Sequence, residues 1–377
     1  MDQEPLDEDN RGRNQGYHLS GKRSTRRVFL RNGAGGAATG VLAGLLSACN
    51  RSSSASAEKG EWGPKRRMVW IPQAAGDWEL PVRVGQLEFC KMVGWDYQHL
   101  GNPVYSVQNH LDLLNNVVMG RPDVVVTSLE SPGIVSGIKR AIEAGITVVL
   151  VNQVVREEAL KLGLNSIVQD EMEAGILNGT QAALWGAKIS GKKDGVILIG
   201  NGNPGSVSID LRQKGTEQGI ASYNSDHGTH FTHEVFADSA FEDIVTSIAK
   251  YSAQIDEKGD HLVALVGLGG PSGVAIWKTL KQRNIPPGRK VAAGSTDIFV
   301  DQQTALEEGY LQWGIDQDLL VLGFISAASA WLQLEQGYHY WDIRFQGELV
   351  LKNDIPRIRA RTEAWLFRAK QLNLVSG

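Results

Sequence analysis

From Met68 onward, short runs of apolar, often β-branched residues alternate with stretches whose apolar positions recur at helical spacing. The runs Met68–Pro72, Asp123–Thr127, Ile146–Val151, Gly195–Ile199, Leu262–Val266 and Val291–Ala293 predict buried strands. The spacing in Leu80–Val93, Ile134–Ala144, Glu171–Trp185, Leu211–Ser222, Phe241–Gln254, Val274–Arg283 and Leu319–Leu334 predicts helices, with Gly145 as a stop. The basic tail Asn353–Lys370 reads as a solvated strand–helix segment. Such alternation predicts an α/β fold of parallel sheets covered by helices on both faces. About eight strand–helix units exceed what one doubly wound sheet usually holds, so two similar Rossmann-like lobes are expected. No short-period repeat supports a solenoid.

The 377 residues, 42% hydrophobic and 21% charged, suit about two folded domains and exclude disorder of the whole chain. A formal net charge of −4 carries no global nucleic-acid footprint. Two cysteines, Cys49 and Cys90, exclude a disulfide framework and a four-Cys zinc site. No metal or cofactor is expected. The apolar stretch Gly33–Cys49 is short and rich in Gly and Ala for a spanning helix of about 20 residues.

The N-terminus reads as an address. Ser24-Thr25-Arg26-Arg27-Val28-Phe29-Leu30-Arg31 resembles the twin-arginine export motif, and Leu46-Ser47-Ala48-Cys49 resembles a bacterial lipoprotein cleavage box. These imply a signal peptide over residues 1–48, lipidation of Cys49, and anchoring to the outer face of a membrane. Residues 49–65 read as a flexible linker. Cys90 then has no partner and reads as a small buried hydrophobe. Beyond residue 48 the chain holds 31 basic and 37 acidic residues, which favours solubility and argues against a polyanionic partner.

In open α/β sheets, ligands bind beyond the carboxyl ends of the strands. That singles out Gln73–Trp78, Asn152–Gln153, Gly200–Gly205, Gly267–Gly270 and Gly294–Asp297. Aromatic, amide and carboxylate groups there suit a polyhydroxylated ligand: rings stack on sugar C–H faces, and planar polar groups pair with hydroxyls. Asp77 is either a ligand group or a helix N-cap. Gly200-x-Gly202-x-x-Gly205 is formally a dinucleotide fingerprint, but the required acid about 20 residues on is missing, since Asp226 falls in a His/Ser/Gly loop. His227, His230 and His233 share no strand face. No Gly-x-Ser-x-Gly elbow or phosphate-loop lysine is present, so any ATP hydrolysis belongs to a partner.

Several motifs then fall in order across residues 68–338: Lys91–Trp95, Asn109–Met119 leading into Asp123–Val126, Ala141–Val149, Arg212–Gly215, then Asp297, Gly309, Gln317 and Gly323. Together they resemble the type I periplasmic solute-binding proteins of the sugar class, the ribose- and galactose-binding kind, with autoinducer-2-binding proteins as close relatives. The resemblance implies two lobes joined by three crossovers: residues 66–168 plus 318–338, and 169–317 plus 339–377. It implies that Trp78 stacks on ligand, Asn152 is the polar group of the first lobe, and Arg212 binds hydroxyls. Asp297 becomes the second-lobe carboxylate and Gln317 the polar residue at a crossover. Arg212→Ala and Asp297→Ala are expected to weaken binding without unfolding the protein. Gly269-Gly270 stands where the family commonly has Asn-Asp, which should leave room, and Gln153 stands where Arg is frequent. The implied role is the monomeric binding component of an ABC importer. It captures a small sugar, polyol or sugar-like molecule and hands it to a permease with its ATPase, with no nucleic-acid partner. Two alternatives differ in class: a ligand-sensing lipoprotein feeding a signalling kinase, and an exported NAD-dependent oxidoreductase.

Overall fold

The structure, a computed structural model, describes residues 59–103 and 106–375. The twin-arginine segment, Cys49 and most of the linker lie outside the described residues. A small hairpin, β1 (Lys59–Gly60) and β2 (Gly63–Pro64), leads into β3 (Arg67–Ile71), α1 (Leu80–Val93), β4 (Asp96–His99) and α2 (Val107–Met119). The chain continues through β5 (Val124–Leu129), α3 (Val135–Glu143), β6 (Thr147–Val154), α4 (Arg156–Leu162) and β7 (Asn165–Gln169). It crosses on α5 (Glu171–Ser190) into β8 (Asp194–Asn201), α6 (Val207–His227), β9 (His230–Ala237), α7 (Ile244–Lys258) and β10 (Leu262–Gly267). Then come α8 (Gly270–Gln282), β11 (Ala292–Thr296), α9 (Val300–Glu308) and β12 (Trp313–Asp316). The chain returns on α10 (Leu319–Gln336) and β13 (Asp342–Phe345), and crosses a third time into β14 (Glu348–Leu351) and α11 (Ile355–Gln371).

Two six-stranded sheets result, ordered β13-β7-β6-β5-β3-β4 and β14-β12-β11-β10-β8-β9. Every pairing in the first is parallel; in the second only β12–β14 is antiparallel. Buried strands such as β5, Val-Val-Val-Thr-Ser-Leu, sit between helices, because a parallel sheet needs both faces covered. One apolar cluster lies on each face of each sheet. Cys90 is fully buried in one of them, and burial pushes its thiol up to about 12.

Three sequence-based boundaries move. Residues 342–345, assigned above to the second lobe, pair with β7 in the first sheet, from Asp342↔Ser166 to Phe345↔Gln169, so the crossover lies after Phe345. A short, half-polar strand of this kind carries too little alternation to be read alone. The tail is a helix, α11, with the strand β14 before it. Helix α6 runs on to His227, so Asp226 is helical.

In each lobe one helix pair approaches unusually closely. In α5 and α6, Gly175, Gly179, Gly215 and Gly219 face the partner's backbone, where a Cβ would overlap a carbonyl oxygen. In α1 and α10, Gly85 and Gly323 do the same. The glycines at Gly215 and Gly323 are therefore spacing devices.

Candidate ligand cleft

The carboxyl edges of the two sheets face one another. On the first-lobe side, Gln73 follows β3, is buried, and donates its amide to Asn152 Oδ1 at 3.3 Å. Its own Oε1 has no hydrogen-bond partner. Asn152 holds φ 62 near the end of β6, a left-handed conformation that Asn tolerates better than most residues. Trp78 sits in a 3₁₀ turn, Asp77–Glu79, half-buried against the first-lobe core, with its indole N–H donating to the Ala74 carbonyl at 3.2 Å. Phe299 from the second lobe packs on the same cluster. The cap position of α1 is held by Glu79, not Asp77, and Glu79 pairs with His99 at 2.9 Å. Behind this edge a sealed network braces the ends of β3 and β5. His110 contacts Glu130 at 2.7 Å and Thr127 at 2.8 Å, and Thr127 donates to the Ile71 carbonyl.

The second-lobe edge is built around Arg212, on the first turns of α6 and 4% exposed. Its Nε and Nη2 meet both carboxylate oxygens of Glu171 at 2.5 and 3.0 Å, and Nη1 donates to the Leu268 carbonyl at 3.0 Å. Nη2 also reaches Gln169 Oε1 at 3.5 Å, which ties the pair to the first crossover. Burial raises the Glu171 carboxyl pKa, with Arg212 pulling the other way. Asp170, beside it, caps α5 through Glu173 N–H. Asp297, at φ 75 after β11, accepts from Gly270 N–H at 2.7 Å and from the Gln317 amide. Ser206 at the start of α6 donates to Gln153 Oε1 at 3.3 Å, a direct contact between lobes. Arg212, Asp297 and Gln317 thus meet around one lobe edge, while Asn152 and Trp78 line the other. Gln73 and Gln153, from the strand-end loops, complete the set together with Glu171, which the sequence did not single out. An acid just after an N-cap reads as helix-dipole pairing, and only its buried guanidinium partner marks it.

Two expectations change. The Gly269-Gly270 pair leaves no room: a Cβ on Gly269 would lie 2.6 Å from the Phe241 ring, and one on Gly270 3.0 Å from Phe299. Aromatic rings occupy the space that two polar side chains were expected to vacate. Two of the three fingerprint glycines are packed the same way, while Gly205 faces open space at φ 88. A Cβ on Gly200 would overlap the Tyr251 hydroxyl and one on Gly202 the Phe241 ring, so their small size is used for close ring packing.

At the second and third crossovers, Asp316, Asp318 and Glu348 come within ligand distance of one another. Their counter-ion is Arg361 of α11, which reaches Glu348 at 3.1 Å, Asp318 at 3.3 Å and also Asp316. Burial pushes the Asp316 carboxyl up to about 6; Arg361 opposes this, while Asp318 and Asp297 add to it. A raised carboxyl pKa contributes stability below the unfolded value, and that contribution is lost as pH rises through the folded one. The thermal stability of the wild type relative to Asp316→Asn is therefore expected to fall between about pH 4 and pH 6, by up to about 3 kcal/mol. Parallel melting curves across that window check it, and a constant difference would refute the assignment.

With the cleft described, the comparisons are informative. Residues 68–338 match the family model described as "Periplasmic binding protein domain". The chain belongs to this periplasmic binding protein family. Its solved neighbours are distant in sequence and close in fold. A glucose-galactose binding protein from Geobacillus stearothermophilus is 17% identical with a TM-score of 0.65, covering 78% of this binding protein and 99% of its own chain. A solute-binding protein of an ABC transporter from Burkholderia graminis, in complex with D-arabinose, is 20% identical with a TM-score of 0.67, covering 77% and 96%. A carbohydrate transporter protein from Acidothermus cellulolyticus, in complex with myo-inositol, is 19% identical with a TM-score of 0.66, covering 80% and 99%. No curated protein sequence matches. The two-lobe binding-protein fold expected from the sequence is the one observed.

Proposed function

We propose that this binding protein captures a small neutral sugar, polyol or sugar-like molecule outside the cytoplasm and delivers it to an ABC permease. The observation that carries this reading is the arrangement at the facing sheet edges. Guanidinium, carboxylate and amide groups from both lobes converge beside Trp78 and Phe299. Solved neighbours of the same fold hold D-arabinose, myo-inositol and D-allose, which supports a polyhydroxylated ligand. In this reading Trp78 stacks on the ligand, Asn152, Arg212, Asp297 and Gln317 bind hydroxyls, and Asp77 is a further ligand group. Ligand contacts made to both lobes at once favour the closed state, since only that state offers both sets. The protein acts as a monomer, anchored by lipid on Cys49, and returns its ligand chemically unchanged.

A thermal-shift screen against pentoses, hexoses, inositols, autoinducer-2-like diols and NAD(H), on protein stripped of ligand by unfolding, tests the proposal. A true ligand at about 100 times its dissociation constant adds roughly 2.7 kcal/mol and moves the midpoint by several degrees. A shift with sugars or polyols that Asp297→Ala abolishes supports the cleft. A shift confined to NAD(H) would overturn it.

A further inference from the structure

Of fourteen exposed large apolar side chains among the described residues, seven lie at one end of the first lobe. The five helices flanking the first sheet, α1, α2, α3, α4 and α10, all run from the cleft edge to the opposite rim, since they start at strand carboxyl ends or at a crossover. Each ends beside a large exposed side chain: Met92 (48% exposed), Met119 (76%), Ile142 (39%), Leu160 (58%) and, two residues past α10, Tyr338 (58%). The helices following β8, β9, β10 and β11 in the second lobe end instead on His227, Lys258, Gln282 and Glu308. The apolar residues near the ends of the last three, Ile255, Leu280 and Leu306, are buried, and beyond the first lobe only Leu184 of α5 and Phe367 of α11, among the described residues, are large, apolar and exposed toward a helix's carboxyl end. Scattered exposed apolar residues are ordinary, but one at the end of every helix of one lobe is a pattern.

The chain also enters at this rim. Trp62, in the β1–β2 turn, packs edge-on against Trp331 of α10 at 5.9 Å and accepts its indole N–H at 2.9 Å, while Arg66 pairs with Glu335 at 3.0 Å. Tyr340, 78% exposed, stands beside it at the start of β13. Lys59 is ten residues from Cys49, a stretch that spans at most roughly 35 Å.

We infer that this rim is a membrane-resting face whose occupant is the lipid headgroup interface. The inference rests, for its orientation, on the lipid anchor proposed above. Single Met, Leu, Trp and Tyr side chains spread around a rim suit shallow insertion at the headgroup level better than they suit a peptide groove. A short tether gives an effective concentration of about millimolar, so a weak surface affinity suffices. Some rim charges pair, Lys65 with Asp96 and Lys161 with Glu158, while exposed Lys91 and Arg121, beside Met92 and Met119, are in no ion pair among the described residues. On neutral phosphatidylcholine apolar contact carries the docking and salt leaves it unchanged. Docked this way, the cleft edge points away from the bilayer.

The test couples the full chain through Cys49 to maleimide-bearing lipid in phosphatidylcholine vesicles, with or without phosphatidylglycerol; Cys90 is buried and stays unmodified. Amide exchange is followed in 119–121, 160–163 and 337–341, with α7 of the second lobe as internal reference. Exchange at the rim is expected to slow about threefold or more relative to soluble Cys49→Ser protein, with no change in α7. On phosphatidylcholine alone the slowing persists at high salt, and it disappears in a Met119→Ser/Leu160→Ser/Tyr340→Ser variant, whose ligand-induced thermal shift is retained. Equal rates on and off vesicles, or slowing that needs crowded protein but no lipid, overturn the inference, the latter in favour of self-association. Because the coupling is chemical, the result is independent of natural lipidation, which incorporation of labelled fatty acid in cells tests separately.

Discussion

Replacing Arg212 by alanine is expected to cost about 3–5 kcal/mol of stability as well as ligand affinity, because it leaves the Glu171 carboxylate buried without its partner. The sequence alone suggested that this change would weaken binding and spare the fold; the bidentate pair makes it a structural keystone instead. Glu171 starts the helix that carries the chain from one lobe to the other, so the loss falls on the first crossover. The melting temperature is expected to drop by roughly 5–15 °C. The Glu171 carboxyl, already raised by burial, rises further without the cation and becomes protonated within the folded protein. Stability of the alanine variant then improves on acidification, as the unfolded carboxylate and the buried one converge on the neutral form. Pairing Arg212→Met with Glu171→Gln removes both charges, and most of the lost stability is expected back while ligand affinity stays reduced by about 10- to 100-fold. If the double variant binds as tightly as the wild type, the pair is structural only and the cleft assignment loses Arg212.

The largest effect of all is expected at Gly179. A side chain there overlaps the Thr216 carbonyl oxygen of the facing helix, and neither backbone can yield without parting α5 from α6. Gly179→Val is expected to give no folded protein, and Gly179→Ala to lose several kcal/mol. Gly186 on the same helix is the control: a Cβ there meets Val263 at an ordinary 3.4 Å, so Gly186→Ala changes stability by no more than about 1 kcal/mol in either direction. Urea unfolding of the two alanine variants separates the outcomes. Equal midpoints would mean that the helices adjust freely and that the glycine seam is not a constraint.

These two cases show how far the chain is legible before folding. The long apolar strands and amphipathic helices announce themselves, and the rule that ligands meet strand carboxyl ends singles out Asn152 and Asp297, whereas Arg212 and Gln317 enter only through the family resemblance. Short strands with polar faces do not. Asn165 and Ser166 of β7 are buried only because Ser329, Gln333 and Asp342, far along the chain, bond to them. The same holds for Glu171, whose partner is 41 residues away. The Gly269-Gly270 pair misleads for a related reason: an absent side chain is visible in sequence, whereas the ring that takes its place is not.

The third crossover has a consequence in time. The first sheet is completed by Asp342–Phe345, whose partner strand ends at Gln169, 176 residues earlier. At roughly 5–20 residues per second, synthesis leaves that sheet edge open for about 10–35 s. The first lobe therefore cannot complete its sheet until about nine-tenths of the chain has been made. Its two ends of chain must meet before either face of that sheet is closed, so the first lobe is expected to fold only once synthesis is nearly complete.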